Sequence, residues 1–268
     1  MSLQDKVAIV TGGSSGIGFG ISKKLVEEGA KVYILARTES TLQEASEELN
    51  ERGDAGWRSV DVTNFDTFTE TVDEIHDEEG LDIFVNNAGV YKPSSVDDDV
   101  RETSYLLDVL FKYPYMINRY LAKEYENVHI QNISSHAALR RDLPGGLEYS
   151  SAKTALSQST MHLKDELERE NRSDIDITQI YPASVATESV MPLIKEGKID
   201  KPTTVDSIAN TSYELLTTDT PTDDVFVGYA RGKGIVRRYL DMSPENNNPF
   251  ENYVEDIIDP TYTPNDLL

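Results

Sequence analysis

The sequence contains no cysteine among its 268 residues. This absence excludes a disulfide framework, a thiolate metal site and a cysteine nucleophile, and it fits the reducing cytoplasm where we expect the protein. No apolar run approaches the roughly 18 residues of a membrane span, and the start MSLQDKVAIV lacks the pattern of a secretory signal. The four histidines show no metal-ligand spacing, so we expect no metal site.

Positive charge is also scarce. The chain has 25 Lys and Arg against 48 Asp and Glu, and its formal net charge is −23. A field of this sign repels nucleic acid and anionic lipid surfaces, so we expect neither as a partner. The charge fits a highly soluble cytosolic protein or adaptation to a salty cytoplasm, and the remaining lysine content favours the first interpretation.

Short apolar runs alternate with longer amphipathic stretches, which are typical of buried strands and of helices respectively. Strands are predicted at 7–11, 32–36, 57–62, 81–89, 128–135, 175–182 and 225–229. Helices are predicted from the glycine-rich turn to about 29 and at 38–53, 64–79, 100–124, 149–171 and 205–216. The alternation predicts the α/β class, with a single Rossmann-type doubly wound parallel sheet in three α/β/α layers.

Helix boundaries are indicated by cap residues. Ser40 and Gln43 have the spacing of a capping box, and Gly53 is expected to end the same helix. Asn64 and Gly80 are expected to begin and end the next one.

No linker divides residues 1–240, which we interpret as one nucleotide-binding domain with an integral catalytic site. The remaining residues, 241–268, are rich in Asn, Pro and Asp. They predict an extended or weakly ordered C-terminal extension that could pack on a partner subunit.

The stretch TGGSSGIG joins the first strand to the first helix. Gly12, Gly16 and Gly18 would allow a tight turn, a close approach of a pyrophosphate and close packing of the helix on the strand. The helix N-terminus would also present free N–H groups. An ordinary structural turn is the alternative, but the position after an N-terminal strand favours a dinucleotide site.

Two Tyr–Lys pairs have a spacing of four residues. In YSSAK, Tyr149 and Lys153 share one face of a predicted helix, where the ammonium can lower the pKa of the phenol and suit it to acid–base catalysis. In YARGK, Tyr229 ends a strand and glycines surround Lys233, so no helix is expected. We therefore interpret only the first pair as catalytic.

Four motifs in order, TGGSSGIG, NNAG at 86–89, NISS at 132–135 and YSSAK, resemble the classical short-chain dehydrogenase/reductase family. The resemblance covers about residues 5–190. It implies hydride transfer between a nicotinamide cofactor and a small-molecule alcohol or carbonyl substrate. It also implies homotetramers or homodimers, built partly from the helices around 100–124 and 149–171.

The cofactor is expected to be NADP(H), with NAD(H) as the alternative. Ala36 and Arg37 stand where an acidic residue would hold the adenosine ribose, and an arginine can pair with a 2′-phosphate. An exposed arginine at a helix start is the structural alternative. The resemblance implies cofactor contacts from Gly12, Ser14, Ser15, Gly16, Ile17, Gly18, Arg37, Asp61, Val62, Asn87, Ala88, Gly89, Tyr149, Lys153, Pro182 and Thr187. Ala183 replaces a common glycine, which matters only if the backbone needs a positive φ.

The resemblance also implies the catalytic roles. Tyr149 is the acid/base, Lys153 tunes it and binds the nicotinamide ribose, and Ser135 positions the substrate. Leu110 stands where the family has an Asn that holds a water beside the lysine. We expect Pro114 to distort this helix and to free a carbonyl near Leu110 for that water, since Asn118 lies too far along the helix axis.

Two functions follow from these features. The first is an NADP(H)-dependent oxidoreductase with a Ser-Tyr-Lys site. The second, indicated by Leu110 and by the weak C-terminal match, is a cofactor-binding protein with low or no turnover that acts as a nucleotide sensor or interaction module. Residues 189–203 are expected to cover the substrate, and their apolar side chains line either a pocket or an ordinary helix face.

Overall fold

The structure is a computed structural model that describes residues 2–140, 146–218, 223–230, 233–240, 242 and 253–262. The strands of this part of the chain are β1 Val7–Thr11, β2 Lys31–Ala36, β3 Ala55–Ser59, β4 Ile83–Asn86, β5 Val128–Ile133, β6 Ile175–Pro182, β7 Asp224–Ala230, β8 Gly234–Leu240 and β9 Tyr253–Asp259. The helices are α1 Gly16–Glu27, α2 Glu39–Asn50, α3 Phe65–Glu79, α4 Val100–Leu107, α5 Tyr113–Glu124, α6 Leu147–Arg169, α7 Met191–Lys195 and α8 Val205–Thr217.

The strands form one sheet in the order β3-β2-β1-β4-β5-β6-β7-β8-β9. Neighbours from β3 to β7 run parallel, and β8 and β9 are added antiparallel. After β2 and β3 the chain crosses from one side of β1 to β4 on the other side, which opens a crevice at the carboxyl ends of β1 and β4. The predicted Rossmann-type fold is confirmed, with an antiparallel edge that was not predicted.

Helices cover both faces of the sheet. In β1, Ala8 and Val10 belong to a core cluster that includes α1, α2 and α8, whereas Val7 and Ile9 belong to a second cluster that includes α3 and α5. A strand buried on both faces needs apolar side chains at every position, which explains the continuous run VAIVT.

Some predicted boundaries need correction. The capping box of Ser40 and Gln43 is wrong, because α2 begins at Glu39 with Thr38 as its N-cap and Ser40 lies within the first turn. Asn64 is the N-cap of α3 without a side-chain cap bond, and Gly80 ends that helix with φ of 87°. The helix predicted over 100–124 contains a π-helical segment, Asp108–Lys112, between α4 and α5.

The end of the described chain extends the sheet. Residues 253–259, assigned above to a C-terminal extension, form β9 and pair with β8. Tyr229 lies in β7 and Lys233 directly precedes β8, so neither residue of this pair lies in a helix, as predicted. Tyr262 is buried after β9, and its hydroxyl donates at 3.0 Å to Pro202 O, within the segment expected to cover the substrate.

Candidate active site

The glycine-rich turn adopts backbone geometry that favours glycine. Gly12 and Gly16 have φ of 64° and 55°, in the left-handed region. A Cβ at Gly18 would lie 2.3 Å from Gly12 O and 2.4 Å from Asn87 Nδ2, so only glycine fits there. The turn therefore brings the start of α1 close to the ends of β1 and β4.

Side chains from β1 and β4 hold this turn together. The Thr11 hydroxyl accepts hydrogen bonds from the backbone N–H groups of Asn87 and Ala88, both at 2.9 Å. Asn87 Nδ2 donates to Thr11 O at 2.9 Å and to Gly12 O at 3.3 Å. Asn87 thus acts here as a brace between the strand ends rather than as a free polar group.

A cleft of about 400 Å³ opens above this brace. It brings together most of the predicted site residues: Gly12, Ser14, Ser15, Gly16, Ile17, Arg37, Asp61, Val62, Asn87, Ala88, Gly89, Tyr149, Lys153 and Thr187. Three predicted residues, Gly18, Ser135 and Pro182, do not line it. Gly18 packs beneath the turn, whereas Pro182 ends β6 and its carbonyl contacts His136 Nδ1 at 3.1 Å.

At one end of the cleft Arg37 is exposed and donates to the Tyr105 hydroxyl at 2.8 Å. Tyr105 also lines the cleft, although no sequence motif marked it. Asp61 accepts from both the N–H and the hydroxyl of Thr63, which fixes its carboxylate at the end of the third parallel strand. Among the described residues that line the cleft, Asp61 is the only one with a carboxylate.

At the other end, Tyr149 and Lys153 project from α6 into the cleft. Burial raises the pKa of Tyr149, a hydrogen bond with Ser135 lowers it, and the nearby Tyr91 raises it, so the net direction is upward. Lys153 is buried, and its ammonium donates to Ile133 O at 2.7 Å. Burial lowers the pKa of Lys153 to about 8. The structure therefore brings the three predicted catalytic residues together.

Leu110 is fully buried and packs in a small cluster with Leu106, Ala152 and Tyr149. It lies in the π-helical segment, where Tyr113 N donates to Asp108 O, five residues earlier. The widened turn places an apolar wall on this side of Tyr149.

Asn118 does not reach this region. It is buried and accepts from Asn86 Nδ2 at 3.1 Å, and the same amide donates to Pro114 O at 3.3 Å. The expectation that Asn118 does not substitute at Leu110 agrees with this placement. The proline ring has no N–H to offer the Leu110 carbonyl, as expected for that helix.

The segment after β6 closes the cleft from above. Thr187 and Ser189 line it, and their hydroxyls are 3.1 Å apart. The short helix α7 buries Ile194, whereas Met191 and Leu193 of the same helix are partly buried. Ala183 is not among the non-glycine residues with positive φ in the described chain, so alanine fits there without backbone strain.

Two kinds of feature are absent from the described residues. No helix of this part of the chain is long and apolar enough to cross a membrane. The same residues hold no group of three or more His, Asp or Glu side chains arranged to bind a metal ion.

The fold and the cleft define a dinucleotide-binding α/β protein. A sequence profile described as short chain dehydrogenase matches residues 6–197. An uncharacterized oxidoreductase of Staphylococcus saprophyticus is 35% identical over 194 residues, which is 70% of this chain and 81% of the relative. The chain therefore belongs to the short-chain dehydrogenase/reductase family and is an oxidoreductase that acts on CH–OH or C=O groups.

Solved structures agree with this assignment. A metagenomic short-chain oxidoreductase in complex with NADP is 26% identical with a TM-score of 0.70, over 85% of this chain and 98% of that chain. A short chain dehydrogenase from Burkholderia cenocepacia, also in complex with NADP, is 25% identical with a TM-score of 0.74, over 84% of this chain and 96% of that chain. These matches do not favour the alternative of a binding protein without turnover.

Proposed function

We propose that this protein transfers hydride between NADP(H) and a small-molecule alcohol/carbonyl pair through Ser135, Tyr149 and Lys153. The observation that carries the proposal is that Tyr149 and Lys153 line the same cleft as the glycine-rich turn, while Ser135 interacts with the Tyr149 phenol from outside the lining. The arrangement suits hydride transfer, because the carbonyl carbon receives the hydride and the proton donor must reach the oxygen of the same carbonyl.

The residues of the cleft fit a dinucleotide. Gly12 and Gly16, both with positive φ, line the cleft and place no side chain between the backbone of the turn and a ligand. Ser15 has no side-chain cap bond to α1, so the first N–H groups of this helix remain available to a phosphate. Asp61, Val62 and Thr187 line the same cleft and are the expected contacts of the adenine and nicotinamide ends.

Arg37 supports the phosphorylated form of the cofactor. Its guanidinium stands at the cleft mouth, held by Tyr105, and can form a charge-assisted pair with a 2′-phosphate. In a chain of net charge −23, such a local cation offsets the repulsion that a phosphate would otherwise meet. Both solved relatives named above were crystallised with NADP, which supports the same choice, and NAD(H) remains the second candidate.

When bound, the nicotinamide supplies or accepts the hydride. Tyr149 then gives a proton to the substrate oxygen or takes one from it, and the Ser135 hydroxyl holds that oxygen beside the phenol. The Lys153 ammonium stabilises the phenolate by its charge, which counteracts the effect of burial on Tyr149. With its pKa at about 8, Lys153 is mostly protonated at neutral pH.

The cellular location and the oligomeric state of this enzyme are also proposals. We expect a cytoplasmic protein, in agreement with the absence of cysteine. We expect a homodimer or homotetramer, because large apolar side chains stand exposed near α4 and at the start of α6, including Val96, Val100 and Leu147. A contribution of residues 241–268 to an interface stays a prediction.

Absorbance of NADPH with a panel of aldehydes, ketones and diketones tests the reaction. We expect oxidation of NADPH by the wild type and a loss of at least about 100-fold in kcat for Tyr149→Phe. Tyr229→Phe is the matched control, since Tyr229 belongs to the rejected Tyr–Lys pair and lies in β7. Cofactor binding without turnover across the whole panel, with no effect of Tyr149→Phe, would refute the proposal.

The choice of cofactor has its own test. Arg37→Ala should raise the KM for NADPH by about tenfold or more, because it removes a charged hydrogen bond, and should leave the KM for NADH nearly unchanged. Equal effects on both cofactors would show that Arg37 does not recognise the phosphate.

A further inference from the structure

Helix α6 carries polar side chains on the face that packs against the sheet. Lys153, Ser157, Thr160 and Lys164 recur at intervals of three and four residues, so they share one face of the helix. The first three are buried, and Lys164 reaches solvent with 23% of its side chain exposed. A face packed on a sheet is ordinarily apolar, so this polar stripe needs a reason.

The sheet presents a matching polar row. Asn132, Gln179 and Asp224 are register partners across β5, β6 and β7, and all three are buried. We call the contact between this row and the polar stripe the α6 seam. Its members are Ser134, Asn132, Gln179, Tyr181 and Asp224 from the sheet, and Ser157, Thr160 and Lys164 from α6.

A chain of hydrogen bonds runs through the α6 seam. The hydroxyls of Ser134 and Ser157 are 2.9 Å apart, and Ser157 also donates to Lys153 O at 2.9 Å. The Ser157 hydroxyl interacts with the phenol of Tyr181 and lowers its pKa, against the larger effect of burial. Tyr181 OH in turn donates to Asp224 Oδ1 at 3.0 Å. Each of these groups can donate one proton and accept another when Asp224 is protonated. The chain thus links four exchangeable protons in sequence.

The outer end of the chain reaches solvent. Asp224 Oδ2 lies 3.6 Å from Lys164 Nζ, which also pairs at 3.0 Å with the half-exposed Asp223. Gln179 Nε2 donates to Asp224 Oδ1 at 3.0 Å, and His129 lies within the field of Lys164 and Asp223. Burial raises the pKa of Asp224, against the opposing effect of Lys164, so its carboxyl takes up a proton more readily than an ordinary aspartate.

The inner end lies at the active site. Ser134 lines the cleft together with Tyr149 and Lys153. The Lys153 ammonium donates to the carbonyl of Ile133, the residue before Ser134. Leu110 instead packs an apolar wall against Tyr149. The seam therefore offers a polar route from this end of the cleft that does not pass Leu110.

Two buried acceptors inside the seam point to bound water. Asn132 Oδ1 and Gln179 Oε1 have no hydrogen-bond partner in the part of the chain that the structure describes. They belong to adjacent register partners, so one water could donate to both oxygens. Buried polar atoms without protein partners usually bind such water, and this pair independently indicates a hydrated seam.

We propose that the α6 seam conducts protons between solvent at Lys164 and the Tyr149–Lys153 pair. The proposal rests on the proposed function. During carbonyl reduction Tyr149 loses a proton to the substrate oxygen, and the seam returns one to it. Each hydroxyl passes its proton inward as it receives the next, a water in the cleft bridges Ser134 to the catalytic pair, and solvent reprotonates Asp224. The sum is one proton moved inward, with only O–H bonds broken and formed.

Tyr181→Phe tests the path by removing one hydroxyl and keeping the ring. We expect kcat for reduction to fall about tenfold with the KM values unchanged, as for loss of a proton-transfer step. The solvent deuterium isotope effect on kcat should increase, and the isotope effect from deuterated NADPH should shrink, because proton delivery becomes rate-limiting. Ser157→Ala should change all three quantities in the same direction.

Tyr125→Phe is the matched control. Tyr125 is also a buried tyrosine hydrogen-bonded to an aspartate, Asp73, but it lies in the other core cluster, away from the cleft. It should keep the isotope effects of the wild type. If Tyr181→Phe and Ser157→Ala lower only the melting temperature, or lower kcat without changing either isotope effect, the role is structural and the proposal is overturned.

A crystal structure at high resolution gives a readout that does not depend on turnover. We expect an ordered water within hydrogen-bond distance of both Asn132 Oδ1 and Gln179 Oε1. A seam without that water overturns the proposal. A wild type that turns over no substrate in the panel refutes the proposed function instead, and unchanged isotope effects in an active Tyr181→Phe refute the seam alone.

Discussion

Lys153 is a charged side chain in a place that disfavours its charge. It is 5% exposed, and the hydrogen bond from its ammonium goes to a neutral carbonyl, Ile133 O, rather than to a carboxylate. Burial without an anionic partner explains why its pKa falls from 10.5 to about 8. Protonated Lys153 therefore carries a free-energy cost in the folded protein, which lowers the free energy of unfolding.

That cost predicts a pH dependence of stability. Between pH 8 and 10.5 the unfolded Lys153 still holds a proton that the folded lysine has lost, so the free energy of unfolding should rise with pH across this window. The shift corresponds to about 3 kcal/mol. Urea unfolding of the wild type and of Lys153→Met measures it, since the variant lacks this contribution. Parallel curves for the two proteins across the window would contradict the prediction.

At the scale of elements, helices α1 and α8 pack closely beside the sheet. Gly20 of α1 meets Val205, the first residue of α8, and a Cβ at Gly20 would lie 2.1 Å from Val205 Cγ1. Neither residue lines the cleft. This contact limits how closely the two helices can approach each other, and it lies outside the active site.

Gly20→Ala should therefore destabilise the fold by about 1–3 kcal/mol, the usual cost of overpacking. The sign of the change in the free energy of unfolding is diagnostic, because an unhindered Gly→Ala change inside a helix stabilises by about 0.5–1 kcal/mol. Val205→Ala in the same chain should recover part of the loss, which a double-mutant cycle by urea unfolding would measure. Simple additivity of the two changes would mean that the helices do not meet at this contact.

The elements differ in how far the sequence predicts them. The parallel strands were predicted because burial on both faces requires continuous apolar runs. β8 and β9 were missed because their polar residues pair across strands, as Arg238 does with Glu255 at 2.8 Å, so no apolar alternation marks them. The π-helical segment was missed because its hydrogen-bond pattern depends on how α4 and α5 pack, although Pro114 correctly predicted a distortion.

The candidate site was predictable where its residues belong to one continuous sequence motif. Tyr149 and Lys153 lie one turn apart on a single helix, and the glycine turn is one continuous stretch. Tyr105 was not predictable, because its contact with Arg37 joins residues 68 positions apart. The α6 seam draws single polar residues from three strands and a helix, and its register exists only once the sheet is assembled.

At the scale of the whole molecule, like charges dominate. The excess of 48 acidic over 25 basic residues leaves many carboxylates without a cationic neighbour, and their repulsion opposes the compact state. Salt screens this repulsion, since the Debye length falls to about 10 Å at 0.1 M and about 3 Å at 1 M.

Stability should therefore increase with ionic strength. We expect the melting temperature to rise by several degrees between about 0.01 and 0.5 M NaCl, at about 2–4 °C per kcal/mol for a chain of this size. Choline chloride should act similarly, because screening does not depend on the identity of the cation. A rise with NaCl alone would indicate specific sodium binding, and a fall with both salts would show that ion pairs outweigh the repulsion.

The central position of β1 also constrains how the chain is made. Val7 N donates to Asp82 Oδ2, 75 positions later, immediately before β4. At roughly 5–20 residues per second, ribosomes need about 4–15 s to synthesise that interval. For those seconds β1 has only β2 as a neighbour, and its other edge stays open. A chaperone that covers short apolar strands at the ribosome exit would protect VAIVT until its second neighbour emerges.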